Sequence, residues 1–326
     1  MDAPAPLLDV RGLSTHFFTD RGRVRAVEDV SFSVRPGEVV AVVGESGSGK
    51  SVTSLSVMGL IPSPPGRIVA GEILLEGQDL TTMRPRALQA LRGDRIAMIF
   101  QDPMTSLDPV FRVEDQMVET ILRHRDVTRA QARDIALAML ERVHIPDAAR
   151  RLSAYPFELS GGLRQRVMIA MALSLKPQVL IADEPTTALD VTVQAQILRL
   201  LEELQDEFDM GIVLITHDFG VVERMADRVV VMYAGRVVET ADIADIRSGA
   251  THPYTRALLA SRPKLGQHSG LSAIPGLPPN LVNPPPGCPF ANRCPEVIDA
   301  CWLGLPELKP VGPRHFDRCL RNEAAS

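Results

Sequence analysis

The sequence predicts an α/β fold with a mainly parallel sheet. Three observations carry this. Short apolar runs, such as 39–43 and 179–182, alternate with longer segments whose apolar residues recur at helical spacing. A glycine-rich turn, Gly44-Glu45-Ser46-Gly47-Ser48-Gly49-Lys50-Ser51, joins one apolar run to a segment that can be helical. Gly44, Gln101, Asp183 and His217 all fall at the carboxyl ends of predicted strands, where open α/β sheets bind ligands.

Composition sets the frame. With 326 residues, 45% hydrophobic and 23% charged, the chain can bury a sizeable core and has room for two domains. No apolar stretch approaches a bilayer span. The start, 1–12, lacks the basic and apolar regions of a signal peptide, so a cytoplasmic protein is expected, held to a membrane by partners if at all. The net charge of −5 argues against non-specific nucleic-acid binding.

Residues 7–10, 24–34 and 39–43 read as strands, with turns at Asp20-Arg21-Gly22 and Pro36-Gly37. Further strands are expected over 71–75, before Glu76-Gly77, and over 95–100, before Gln101. From about 102 to 175 the character changes. Residues 113–124 and 129–143 carry helical spacing, with Ile135, Met139 and Leu140 in the second, and 162–175 is another helix stopped near Pro177. We read this as a helical insertion. A buried strand over 179–182 then ends in Asp183-Glu184. A helix over 191–208 sets Ile197, Leu201, Leu204 and Phe208 on one face, and a strand over 211–216 ends at His217. Residues 228–233 and 236–239 form a hairpin through Ala234-Gly235.

Residues 251–326 differ. Twelve of the 26 prolines lie between Pro263 and Pro313, which excludes a regular helix or a central strand there. All four cysteines, Cys288, Cys294, Cys301 and Cys319, fall in this segment, so a cross-linked module is expected rather than a flexible linker.

The strand ends carry distinct chemistry. In 44–51, glycines let several backbone N–H groups point at one phosphate, and the helix N-terminus adds partial positive charge. Lys50 is placed to reach the β- and γ-phosphates and Ser51 to hold Mg²⁺. Asp183 can bind Mg²⁺ directly or through water, and Glu184 can orient or deprotonate an attacking water. Ser160 is a candidate N-cap, and Ser160-Gly161-Gly162 offers N–H groups at a second helix N-terminus. Two phosphate sites with one Asp-Glu pair imply that the second serves another subunit's nucleotide.

In this order the motifs resemble the ATP-binding subunits of ABC transporters, over about residues 7–250. Residues 44–51 match Walker A, Gln101 the Q-loop, and Ser160-Gly161-Gly162 the signature. The strand over 179–183 with Glu184 matches Walker B, Ala188-Leu189-Asp190 the D-loop and His217 the switch histidine. Leu163 stands where the signature usually has Gln; a backbone anion site needs no side chain there. The resemblance implies a P-loop NTPase cassette over 1–250: a RecA-like core, an antiparallel β-subdomain and a helical subdomain at about 102–175. A Pro/Cys-rich extension over 251–326 follows.

The resemblance also implies the cofactors, ATP and Mg²⁺. Gly44, Glu45, Ser46, Gly47, Ser48, Gly49, Lys50, Ser51 and Val52 would hold phosphate, and Ser51, Gln101 and Asp183 would hold Mg²⁺. Phe17 would stack on adenine, with Phe18 as the alternative. Glu184 would be the general base, His217 would hydrogen-bond the γ-phosphate, and Gln101 would contact the attacking water and sense a membrane partner. Ser160, Gly161, Gly162 and Asp190 would face the nucleotide of a second subunit packed head to tail.

Several stretches narrow the branch. They are Gly44-Glu45-Ser46-Gly47, residues 100–107, His252-Pro253-Tyr254-Thr255, and Pro286-Gly287-Cys288-Pro289-Phe290 with Arg293-Cys294-Pro295. These are similar to oligopeptide and dipeptide importers, a branch that includes nickel importers, although Asp108 stands where Asn is usual. The implied function is ATP hydrolysis energising di- or oligopeptide uptake from the cytoplasmic face of the cell membrane. The implied partners are a second homologous ATP-binding subunit forming a heterodimer, two transmembrane permease subunits and an extracytoplasmic peptide-binding protein, with no nucleic acid. Uptake of nickel or another small solute, and a soluble ABC ATPase acting in translation or repair, stand as alternatives. A P-loop kinase would not need Ser160-Gly161-Gly162.

The cysteines are separated by five, six and seventeen residues. A cytosolic compartment disfavours disulfides, and four thiolates suit zinc or an iron–sulfur cluster. Structural zinc usually brings a short C-x₂₋₄-C pair, which is missing, whereas cluster ligation tolerates varied spacing. Resemblance to peptide-importer tails implies a [4Fe–4S] cluster on Cys288, Cys294, Cys301 and Cys319, with Zn²⁺ and unliganded thiols as alternatives. Such a site would pin a segment without its own core, with Trp302 packed beside it.

Overall fold

The computed structural model describes residues 5–102, 106–187, 189–261 and 274–325. Pro103, Met104 and Thr105 of the 100–107 match, Ala188 of the D-loop and Pro263 therefore lie outside the described residues. The chain forms two compact units. One comprises chiefly Thr82–Leu214 with Arg35–Glu38; the other comprises Leu8–Val34, Val39–Thr81 and Ile215–Ser326.

The second unit begins with an antiparallel pair, β1 (Leu8–Thr19) and β2 (Gly22–Val34), closed at Asp20-Arg21. β1 runs well beyond the predicted 7–10. Register shifts between Val10 and His16 break the alternation of inward and outward residues, so the period of two is not legible there. β3 (Val39–Val43) is buried at every residue, as a strand covered on both faces should be. It leads through the glycine turn into α1 (Lys50–Val57). β4 (Gly66–Leu75) pairs with β1 and with the two-residue β5 (Gln78–Asp79), giving the order β2-β1-β4-β5. Its first half is mostly exposed, which hid it from a hydrophobic pattern that begins at Gly71.

The first unit carries α2 (Pro85–Leu91), β6 (Ile96–Ile99) and a run of helices: α3 (Val113–His124), α4 (Arg129–Arg142), α5 (Ala148–Leu152) and α6 (Gly161–Leu173). α3 has Glu114 and Asp115 in its first turn and Arg123 and His124 in its last, matching the helix dipole. α4 opens with a capping box between Thr128 and Gln131. β7 (Val179–Asp183) pairs in parallel with β6, both fully buried. α7 (Val191–Phe208) buries Ile197, Leu201 and Leu204, and β8 (Gly211–Thr216) lies beside β7.

The rest of the second unit begins with α8 (Phe219–Met225), β9 (Arg228–Tyr233) and β10 (Arg236–Asp242). β9 runs parallel to β3, and the hairpin to β10 turns at Ala234 (φ 49°) and Gly235 (φ 80°), the left-handed pair a two-residue hairpin needs. Short helices α9 (Ile243–Gly249), α10 (Pro253–Ala260) and α11 (Ala300–Leu303) precede β11 (Lys309–Gly312) and β12 (His315–Asp317). The order is β11-β12-β10-β9-β3. Pro310 sits in the edge strand, where a missing N–H costs no ladder bond. Among the described residues no helix is long and apolar enough to cross a membrane.

Candidate nucleotide site

In the second unit, β3 runs out at Gly44. A Cβ at Gly44 (φ 154°) would stand 2.2 Å from the Met232 carbonyl oxygen, and one at Gly49 (φ 105°) 2.6 Å from that of Ala26. Only glycine permits this course. The Gly235 N–H donates to the Ser48 carbonyl at 2.9 Å, so the β9–β10 turn props the loop. Lys50 is 6% exposed, and its Nζ donates to the carbonyls of Gly44 (2.8 Å) and Glu45 (3.0 Å). The loop thus curls around the ammonium. α1, which contains Ser51 and Val52, has no side-chain cap and no acid in its first turn, the form of a helix start that accepts an anion. Ser46 and Gly47 are exposed, while the buried Ser48 hydroxyl has no partner. These features suit a phosphate chain.

Phe17 is half-buried in β1, and a Cβ at Gly66 would meet its ring edge at 2.9 Å; Phe18 is exposed. His217 is exposed immediately after β8, and the next residue, Asp218, caps α8 by accepting from the Gly220 N–H at 2.7 Å.

In the first unit, Asp183 is the buried last residue of β7. Glu184 follows at φ 48°, a left-handed conformation that turns its side chain off the strand. Gln101, just beyond β6, donates from Nε2 to Glu184 Oε2 at 3.0 Å. Sequence reasoning missed two neighbours. The Thr187 hydroxyl donates to the same carboxylate oxygen at 2.8 Å. The buried Gln165 amide donates to the Pro185 carbonyl at 2.6 Å, fixing the turn after Glu184 from α6. Thr187 reaches back three residues within the turn that follows Glu184, which no periodicity marks, and Gln165 acts from another element, α6. Ser160 takes the backbone position of the α6 N-cap, but its side chain makes no capping bond, contrary to expectation. Ser160 and Gly161 are exposed, and Gly162 lies against Val193. Asp190 caps α7 through the Val193 N–H at 2.9 Å.

The C-terminal segment supplies unexpected contacts in the second unit. The Tyr254 hydroxyl accepts from the Glu45 N–H at 2.8 Å. Arg293, buried beside Cys294, grips the Glu45 carboxylate with both terminal nitrogens, at 2.6 and 2.9 Å. Glu45 holds the guanidinium above its usual range, while burial pushes up the phenols of Tyr233 and Tyr254. Phe290 packs edge-on against both tyrosines, with ring centroids 5.3 Å apart in each case.

Cys288, Cys294, Cys301 and Cys319 all line one cavity with Phe290, Ala291, Pro306 and Leu320. All four are free thiols, so the cross-link expected from their clustering is not a disulfide. Burial pushes Cys288 up to about 11 and raises Cys294 and Cys319, so without a cation these thiols stay neutral. Among the described residues no three His, Cys, Asp or Glu side chains stand at metal-holding geometry. The donor set and its apolar enclosure nevertheless suit a thiolate-held group. Trp302 is 48% exposed and does not line this cavity.

Comparison with known proteins agrees. Residues 27–187 match the family model "ABC transporter", and residues 238–301 match "Oligopeptide/dipeptide transporter, C-terminal region". The chain is 51% identical over 318 residues to the probable peptide ABC transporter ATP-binding protein y4tR of Sinorhizobium fredii, covering 97% of this chain and 95% of that one. It is 50% identical over 318 residues to the oligopeptide transport ATP-binding protein AppD of Bacillus subtilis, covering 97% of each. Among solved structures, a dimeric post-hydrolysis state of the ATP-binding cassette MJ0796, bound to ADP and Pi, aligns with a TM-score of 0.65 at 26% identity, over 72% of this chain and 98% of that one. The chain therefore belongs to the ABC transporter ATP-binding proteins, in the branch that carries the oligopeptide/dipeptide transporter C-terminal region.

Proposed function

We propose that this chain hydrolyses ATP to energise uptake of di- or oligopeptides across the cell membrane, as the ATP-binding subunit of an ABC importer. The observation that carries this is the half-identity, over nearly its full length, to an oligopeptide transport ATP-binding protein. Residues 44–52 hold the triphosphate, Ser51, Gln101 and Asp183 hold Mg²⁺, and Glu184 is the general base. His217 contacts the γ-phosphate and Phe17 the adenine. Residues 1–250 form the ATP-binding domain and 251–326 an extension. In a strain deleted for the chain, wild type restores uptake of a labelled dipeptide and Glu184→Gln does not; restoration by Glu184→Gln overturns the reading.

The chain works on the cytoplasmic face with a second, homologous ATP-binding subunit, two permeases and an extracytoplasmic binding protein. Support for the pair comes from the two anion-accepting helix starts, at α1 and α6, and from the dimeric state of the MJ0796 cassette. Ser160, Gly161, Gly162 and Asp190 close over the partner's nucleotide. Co-purification from membranes tests this assembly.

Cys288, Cys294, Cys301 and Cys319 hold a [4Fe–4S] cluster, with Zn²⁺ as the alternative; their common cavity supports this. When bound, the group supplies four covalent anchors to a segment that is otherwise mostly turns. Anaerobic purification followed by iron, sulfide and zinc assays decides it. Stoichiometric zinc without iron or sulfide overturns the cluster, and absence of all three overturns both.

A further inference from the structure

We propose that Arg293 is a positioning residue of the nucleotide site: from the cysteine-rich segment it clamps Glu45 and so holds the start of the phosphate loop in its binding conformation. The proposal rests on the assignment of 44–52 to the triphosphate. Glu45 is gripped at both of its ends. Its N–H donates to the Tyr254 hydroxyl at 2.8 Å, and its two carboxylate oxygens take Arg293 at 2.6 and 2.9 Å. Arg293 is itself locked. Its Nε donates to the Pro275 carbonyl at 2.9 Å, and its terminal nitrogens also donate to the Ile274 carbonyl and the Tyr233 hydroxyl, both at 3.2 Å.

Its side chain is 2% exposed against 27% for Glu45, so water screens the ion pair weakly. The guanidinium lies within 6 Å of the Tyr233 and Phe290 rings, at 5.7 and 5.9 Å. Two-pronged pairing fixes direction as well as distance, which a single ammonium does not.

Glu45 in turn bears on the chemistry. Its carbonyl is one of two that hold Lys50 Nζ. Its N–H is turned back to Tyr254, and its carbonyl also accepts from the Ser48 N–H at 3.2 Å, so the position of Glu45 sets the curl of the loop through Ser48. The clamp therefore prepays ordering that ATP would otherwise have to impose, and it acts on affinity rather than on the bond-breaking step.

Equilibrium binding of mant-ATP with Mg²⁺ to the purified full-length chain tests this. Arg293→Gln weakens affinity about tenfold, the loss expected for a charge-assisted pair. Arg293→Lys and Tyr254→Phe each weaken it about threefold. The double variant Arg293→Gln/Glu45→Gln is no weaker than the worse single one, since the two act as a unit. A merely structural role would lower the melting temperature and the active fraction but leave the Kd of the folded fraction unchanged. Wild-type affinity in Arg293→Lys and Tyr254→Phe, or a double variant equal to the product of its singles, overturns the clamp. Lys50→Ala separates the two levels: if it binds like wild type, the phosphate-site assignment has failed rather than the clamp.

Discussion

Gln101 donates from Nε2 to Oε2 of Glu184 at 3.0 Å, and the Thr187 hydroxyl donates to the same oxygen at 2.8 Å. Two donors on one oxygen fix the carboxylate's orientation, which a general base needs. Glu184→Gln keeps the shape and removes the basicity. We expect ATP affinity within about twofold of wild type and turnover down by about a hundredfold or more. Paired binding and phosphate-release assays check this, and wild-type-like turnover removes Glu184 from the role.

Thr187 offers a finer test. Thr187→Val deletes one hydrogen bond, worth about 1 kcal/mol, and nothing else of size. The carboxylate then keeps the Gln101 donor and loses the Thr187 one. Turnover should fall about threefold to tenfold with the KM for ATP unchanged. A rise in KM at constant turnover would place Thr187 in binding rather than in orientation.

The glycines of the phosphate loop are not equivalent. A Cβ at Gly44 meets backbone at 2.2 Å, and backbone cannot step aside. A Cβ at Gly47 meets nothing within 4 Å, and only the backbone conformation, φ 78°, opposes it. Gly44→Ala should abolish measurable ATP binding and lower the melting temperature. Gly47→Ala should cost about 1 kcal/mol and leave a foldable loop. Equal melting temperatures for the two variants would contradict this ordering.

What the sequence made legible follows from range. The phosphate loop, β3, β7, α7 and β8 are written in consecutive residues, and the structure places them within a residue or so of expectation. β1 was largely hidden because its register shifts scramble the alternation by which a strand is read. Contacts between distant residues were hidden more completely. Glu45 and Arg293 are 248 positions apart, and nothing local in either stretch indicates a pair. Tyr254 stood out by resemblance alone, with its bond to Glu45 unanticipated. Gln165 looks like an ordinary helix residue until Pro185 is placed against it.

The C-terminal strand should give the protein a distinctive response to pH. His315 on β12 and Glu239 on β10 pair at 2.8 Å, Nε2 to Oε1, and Glu239 is fully buried. Glu239 also accepts from the Thr251 N–H (2.7 Å) and hydroxyl (3.0 Å) and from the His252 N–H (3.1 Å). Glu239 raises His315 above its ordinary 6.5, with Asp245 and Asp317 acting in the same direction. Burial alone would push Glu239 up, but its hydrogen bonds, His315's first among them, outweigh that and leave it below 4.5. A raised histidine stabilises fully below its unfolded value, and that contribution is lost as pH rises through the folded value. A depressed carboxylate stabilises above its unfolded value and loses that as pH falls through the folded one. The pair is therefore strongest between about pH 4.5 and 6.5 and fades above. Melting temperatures taken from pH 5 to 9 should decline more steeply for wild type than for His315→Gln, which has no proton to lose. Parallel profiles would mean that the imidazolium contributes nothing to holding β12 on β10.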